Sequence, residues 1–316
     1  MKLNTKLLKD LYMIDHPSGS EQQMITFILN YCKNIPNITF ELDHYNNLFV
    51  TKNTNNPETY ACLLAHTDQI ETNKGAYRVY ESNGVIYGLH KIDGSRCGLG
   101  CDDANGICVA LQMLEELPDL KVIFTTEEEV GAKGAIEACF NADFLYNIRY
   151  FLQADRRGSS DLITHTNGID VVTDEFILDL SPIINKYGYS ENTGTFTDVG
   201  ELVENVKVCG VNISCGYYLE HTANEYCKIS ELENCLNFIY EILTTLTSDK
   251  QYHIEVLNKY SSNYNYYWEY EPRSCDKAEE EYPSELNDYY SDFSDNLPCD
   301  KCRDMDCMNC KYLNDY

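Results

Sequence analysis

Through its first 250 residues the chain alternates short apolar runs with longer stretches of helical periodicity. Residues 60–65 form a continuous apolar run of strand length, and 120–124 and 150–153 are largely apolar runs interrupted only by Lys121 and Gln153, the pattern of strands buried on both faces. Residues 211–214 read as a further strand, and residues 37–43 and 48–52 as a pair joined by a turn at Tyr45-Asn46-Asn47. Apolar residues recur at helical spacing over 106–117, 174–186 and 229–246. Another helix is expected to start near Ser20 or Glu21, capped by Ser18 or Ser20, and to reach about Lys33. Strands interleaved with helices predict an α/β fold: a mixed, mostly parallel twisted sheet with helices on both faces.

In such sheets ligands gather beyond the carboxyl ends of the strands, and an ordered series of histidines and acids falls there. His66 and Asp68 follow the run 60–65, Glu127-Glu128-Glu129 follows 120–124, and Asp155 follows 150–153. Asp102-Asp103 and His221 lie in or near glycine-marked turns. Singly these signals are weak, since a run of glutamates is usually a solvated patch. Together they have the make-up of a two-metal hydrolytic site. Two zinc ions about 3.5–4 Å apart can share a bridging carboxylate and a water. Each takes nitrogen and oxygen ligands and keeps one position open. His66, Asp102, Glu129, Asp155 and His221 supply a histidine and a carboxylate for each ion, plus one shared carboxylate. Glu128 is then free to act as general base, and Asp68 to orient His66 through its other ring nitrogen.

The motifs are Leu63-Leu64-Ala65-His66-Thr67-Asp68, Gly100-Cys101-Asp102-Asp103-Ala104-Asn105-Gly106, Phe124-Thr125-Thr126-Glu127-Glu128-Glu129-Val130-Gly131 and Gly216-Tyr217-Tyr218-Leu219-Glu220-His221-Thr222. Preceded by Pro17-Ser18-Gly19-Ser20-Glu21, this order resembles the co-catalytic zinc exopeptidases. That clan includes leucyl aminopeptidases, peptidase T and the aminoacylase and carboxypeptidase relatives. The resemblance covers residues 1–250 and implies the phosphorylase/hydrolase-like fold of zinc exopeptidases. It implies that His66 and Asp155 hold one zinc, Glu129 and His221 the other, and that Asp102 bridges them through a loop with a cis Asp102–Asp103 bond. Val130-Gly131 sets the register that makes Glu128 the base and leaves Glu127 without a role. Cobalt and manganese are alternates to zinc.

An aspartate at the Asp155 position goes, among such relatives, with aminopeptidases and dipeptidases more often than with carboxypeptidases and aminoacylases. The resemblance therefore implies removal of N-terminal residues from short peptides. The alternatives are an N-acyl amino-acid deacylase or a carboxypeptidase on the same site, and, from another class, a non-catalytic binding protein of the same fold.

The intervals from His66 to Asp102 and from Asp155 to His221 are too short for the barrel or lid domain that relatives insert there. Residues 1–250 are expected to form one lidless catalytic domain, leaving the metal ions, Tyr217 or Tyr218 to stabilise an oxyanion. Arg156 and Arg157, beside Asp155, could bind a substrate carboxylate or balance local acids. Asp198 is a candidate to position His221 or a substrate amine, or to cap the helix that follows.

A formal charge of −27 over 316 residues argues against a nucleic-acid partner. No apolar run approaches the roughly 18 residues of a membrane span, and the opening residues lack the pattern of a secretory signal. The 15 cysteines, an odd number with Cys62, Cys108 and Cys235 inside apolar segments, are read as reduced thiols of a cytoplasmic enzyme. Residues 251–316 read as an acidic, tyrosine-rich tail. It carries Cys299, Cys302, Cys307 and Cys310, two Cys-x-x-Cys pairs that could hold a further structural zinc, dock a partner or be exposed thiols. Oligomeric state is left open.

Overall fold

The apolar runs become the centre of a sheet in the computed structural model, which describes residues 1–70 and 76–255. Helices α1 (Thr5–Tyr12) and α2 (Gln22–Cys32) lead into β1 (Ile38–Leu42), β2 (Leu48–Asn53) and β3 (Tyr60–His66). Strands β4 (Tyr77–Ser82), β5 (Val85–His90) and β6 (Arg96–Cys97) precede α3 (Cys101–Glu116) and β7 (Asp119–Thr125). Then come α4 (Lys133–Ala138), α5 (Ala142–Leu145), β8 (Ile148–Arg156), β9 (Asp161–Thr166) and β10 (Ile169–Asp170). The series continues through α6 (Asp174–Tyr187), β11 (Ser190–Gly194), α7 (Asp198–Val206), β12 (Gly210–Ser214), β13 (Tyr217–Tyr218), β14 (Tyr226–Lys228) and α8 (Ile229–Thr245).

The main sheet has the order β1-β2-β7-β3-β8-β12-β9-β10, with β11 added beside β9. Its four central strands, β7, β3, β8 and β12, run parallel, while β1, β2 and β10 join antiparallel towards the edges. Every residue of β3 is buried, as is β7 beyond its first residue, which is why these strands lack alternation. Helix α3 packs on β3, β7 and β8, with α1, α2 and α8 against it; α4 and α7 pack on each other and on the sheet. On the α7 side the packing is close. A Cβ on Gly210 of β12 would lie 2.6 Å from Val199 Cγ2 and 3.0 Å from Phe151 Cβ.

One expectation is corrected. Helix α2 begins at Gln22 after Glu21 with no side-chain cap, and the Ser18 hydroxyl is bonded to Asp68 instead. The interval from His66 to Asp102 contributes β4, β5 and β6, which pair with β13 and β14 in a second, antiparallel sheet. The interval from Asp155 to His221 holds α6 and α7 and the strands β9 to β13. Among the described residues the cysteines form no disulfide, and all but Cys139 are buried. No described helix is long and apolar enough to cross a membrane. The four-cysteine cluster and the rest of the tail beyond residue 255 lie outside the described residues.

Phe151 is fully buried on β8, opposite Cys62 of β3 and Gly210 of β12. Phe151→Ala should cost about 3–5 kcal/mol of unfolding free energy by leaving a cavity between two central strands. Urea titration checks this, and a loss under about 1 kcal/mol would show that the sheet centre repacks.

Candidate metal centre and cleft

Because β7, β3 and β8 are neighbours running the same way, His66 at the end of β3 lies between the glutamates that follow β7 and Asp155 near the end of β8. Asp102 enters from the first turn of α3, where it and Asp103 depart from helical geometry around a cis peptide bond. His221 comes from the turn between β13 and β14 of the second sheet. Asp102 stands between the two imidazoles. Its Oδ1 lies 2.8 Å from His66 Nε2 and its Oδ2 3.3 Å from His221 Nε2. Glu129 Oε1 is 2.8 Å from His221 Nε2, and Asp155 Oδ1 is 3.5 Å from His66 Nε2.

Asp68 organises the loops beneath. It is fully buried, with its backbone oxygen 3.0 Å and its Oδ1 3.3 Å from His66 Nδ1. Its carboxylate also accepts the N–H groups of Glu128 (2.9 Å) and Glu129 (3.2 Å) and the Ser18 hydroxyl (2.6 Å). Glu127, which the sequence left without a role, takes a left-handed conformation with φ 52°. Its carboxylate accepts the Tyr45 hydroxyl at 3.0 Å and Lys133 Nζ at 2.9 Å. His221 is also left-handed, with φ 61°. Non-glycine residues in this region cluster where surrounding structure holds them for function.

Asp103 faces inward. It accepts the His66 N–H at 3.2 Å and the Gly106 N–H at 2.9 Å. A Cβ on Gly106 would sit 2.4 Å from the Asp103 carboxylate oxygens, so the glycine closing the Asp-Asp-Ala-Asn-Gly motif makes room for that carboxylate. Gln153 and Asn212 hold Asp155: Gln153 Nε2 donates to its Oδ2 at 3.0 Å, and Asn212 Oδ1 accepts its N–H at 3.0 Å. The sequence carried no signal for these two beyond their place on strands.

A cleft of about 550 Å³ opens over the cluster. Asp102, Glu128, Glu129, Asp155, Tyr217 and His221 line one part, and Arg156, Arg157, Glu220 and the Thr193–Thr197 segment line the rest. The Tyr217 hydroxyl lies 3.4 Å from Asp155 Oδ1. Arg156 Nε reaches Asp161 at 3.3 Å, and Arg157 is paired with Glu220 at 2.7 Å. Two candidates do not reach the cleft. Tyr218 turns its hydroxyl to Glu231, at 2.5 Å, because it pairs with Tyr226 in the second sheet. Asp198, fully buried in the first turn of α7, accepts the Thr125 hydroxyl through Oδ2, while its Oδ1 has no partner.

Seven carboxylates therefore gather here, Asp68, Asp102, Asp103, Glu128, Glu129, Asp155 and Asp198, none of them exposed. Among the described residues their only cationic partners are His66 and His221. Burial, reinforced by neighbouring acids, pushes Asp103, Glu128 and Asp155 well above the usual carboxylate range. Burial would raise Asp102 too, but its bonds to His221 and His66 hold it far below that range. For His66, burial acts to lower the pKa, and the bonds to Asp102, Asp155 and Asp68 override it and raise it well above its ordinary value. A cluster this short of positive charge fits bound cations, and imidazole with carboxylate donors suits a divalent metal. Three donor sets have ligand atoms within 4.8 Å of one another: His66, Glu128 and Glu129; His66, Asp103 and Asp155; and Asp102, Glu129 and His221.

No protein-family profile and no curated protein matches the chain. Solved structures do. The aminopeptidase PepT of Bacillus cereus superposes with a TM-score of 0.65 at 12% identity, over 78% of this chain and 100% of that one. A Staphylococcus aureus tripeptidase gives 0.63 at 14%, over 77% of this chain and 98% of the other. An aminopeptidase of the archaeon Desulfurococcus kamchatkensis gives 0.60 at 17%, over 77% and 95%. The chain thus has the fold of these exopeptidase structures, in agreement with the resemblance of its motifs.

Asp198 yields a pH test. Burial raises its carboxyl to about 7, against about 3.9 in an unfolded chain. With the folded value above the unfolded one, its contribution to stability is full below about pH 4 and is lost as pH rises through about 7. In chelator-treated protein, Asp198→Asn should move the urea midpoint upward relative to wild type more at pH 8 than at pH 4.5. An equal offset at both pH values contradicts the shift.

Proposed function

We propose that the protein is a dinuclear zinc exopeptidase, with cobalt or manganese as alternates, that releases N-terminal residues from short peptides. The reading rests on Asp102, whose two oxygens each face a different histidine, at 2.8 and 3.3 Å. His66 and Asp155 would hold one ion, His221 and Glu129 the second, and Asp102 both. When bound, such a pair polarises a scissile carbonyl and lowers the pKa of an attacking water.

The protein's own groups supply the rest. Glu128 lines the cleft beside these donors. It takes the proton of the attacking water and delivers one to the leaving amine. Asp68, against His66 Nδ1, keeps Nε2 turned to the centre. Tyr217, whose hydroxyl lies in the cleft wall beside Asp155, is the side chain we assign to the carbonyl oxygen as negative charge develops there. Arg157 is neutralised by Glu220, whereas Arg156 engages Asp161 only through Nε and has its terminal nitrogens left for a peptide's carboxylate. Such a partner limits the substrate to short peptides.

The same arginine favours a second reading. A carboxylate close to the scissile bond is also what an N-acyl amino acid or a carboxypeptidase substrate presents. The two are separated by incubating zinc-loaded protein with matched free and N-acetylated peptides and weighing the products. Loss of single N-terminal residues from free peptides alone is expected. Survival of the free peptides, with release of acetyl groups or C-terminal residues, would transfer the assignment to the second reading.

Glu128→Ala should retain its zinc by elemental analysis and lose about 10²–10⁴-fold in turnover. Near wild-type turnover would remove Glu128 as the base.

A further inference from the structure

Asp102 and His221 are far apart in sequence, one in the first turn of α3 and the other in the turn between β13 and β14, yet their side chains meet at 3.3 Å. One residue outside the cleft ties the two segments together. Glu225 lies four positions after His221 and is 2% exposed. Its Oε2 accepts the N–H groups of Leu99, at 2.6 Å, and Gly100, at 2.7 Å, while Oε1 accepts that of Cys101 at 2.9 Å. These three donors immediately precede Asp102. Gly100, at φ 71°, is the left-handed residue that turns the chain into α3. Backbone N–H groups ahead of a helix have no partner within it, and a carboxylate is the favoured acceptor there.

The other end of the link is equally fixed. Arg96 donates to the backbone oxygens of Asn224 at 3.1 Å and Glu225 at 3.0 Å. The turn between is closed by the Thr222 hydroxyl, which donates to Leu219 oxygen at 2.7 Å and accepts the Asn224 N–H at 3.2 Å. His221, left-handed within this turn, therefore has little freedom to move independently of Glu225.

We propose that Glu225 is a positioning residue that sets the separation between Asp102 and His221, and thereby the site that these two share with Glu129. The proposal rests on the dinuclear metal reading above. Glu225 does not line the cleft; its carboxylate holds the backbone at 99–101, and its own backbone continues the 221–225 turn. A buried carboxylate bound to three N–H donors cannot be replaced silently by an amide. In Glu225→Gln, one oxygen becomes an NH₂ group facing a backbone donor.

The test is zinc binding to the full-length protein by competition with a chromophoric chelator, with the visible spectrum of the cobalt-loaded form and the melting temperature of metal-free protein measured alongside. Glu225→Gln is expected to weaken one of two bound zinc ions by about 10–100-fold, the range for residues that support metal ligands from behind. The other ion should hold, the cobalt spectrum should change, and kcat should fall more than KM changes. Glu225→Asp keeps the charge on a shorter arm and should fall between wild type and Gln, which also covers a Gln variant that fails to fold. Two zinc ions bound as tightly by the variants as by wild type, with only the melting temperature lowered, would make Glu225 merely structural and overturn the proposal. Wild-type protein that binds no zinc would instead bring down the dinuclear reading, and this inference with it.

Discussion

The site depends on the cost of confining negative charge. Seven carboxylates converge at the carboxyl ends of three adjacent parallel strands, and the described residues offset them only with two histidines. Ionised carboxylates this close cannot all persist in a poorly solvated space unless they share protons or gain cations. Much of the surrounding structure serves that condition. Backbone N–H groups are directed at Asp68 and Asp103, glycine leaves space where Asp103 needs it, and the α7 helix places another buried acid behind β7. Bound divalent metal would relieve the same repulsion that otherwise raises the pKa values of Asp103, Glu128 and Asp155.

Strand order turns this chemistry into geometry. With β3 between β7 and β8, residues at or just past the ends of three separate strands arrive side by side. Glu129 sits in the turn four residues past β7, and Asp102 and His221, which come from outside the main sheet, need other anchorage. A helix start supplies it for Asp102, and a left-handed turn supplies it for His221. Irregular backbone is thus concentrated where regular structure could not deliver the side chain.

What was legible in the sequence follows from the same division. The buried strands were readable from largely apolar runs at 60–65, 120–124 and 150–153, each followed within a few residues by His66, Glu128-Glu129 or Asp155, a coincidence weak singly but strong in series. The five residues named from their order, His66, Asp102, Glu129, Asp155 and His221, lie together in the fold, in the company of Asp68, Asp103 and Glu128. The second sheet was not readable: β4 is largely exposed, β5 has only two buried residues, and β6, β13 and β14 are too short to show a period. Its pairing joins residues 77–97 to 217–228, a long-range match that no local pattern records. Tyr218 was misjudged for that reason, since its direction is set by pairing with Tyr226. Asp198 was a candidate because the resembling family carries a Thr-Asp or Ser-Asp near the site at this place; it is fully buried in the first turn of α7, which packs on β8 and β12, and does not line the cleft.

The lack of an inserted domain in the two short intervals shapes what the cleft can recognise. The cleft is lined by the Thr193–Thr197 segment together with Arg156, Arg157, Tyr217 and Glu220. Arg156 directly follows Asp155 on β8, so on the proposed reading the group assigned to a substrate carboxylate shares a strand with a proposed metal ligand. The distance between reacting bond and substrate carboxylate would then be set by a few bonds of one strand. A peptide held that way would have to be short enough to present both ends to one cleft. Asp161 and Glu220 engage the two arginines at 3.3 and 2.7 Å and hold them off the acids around His66.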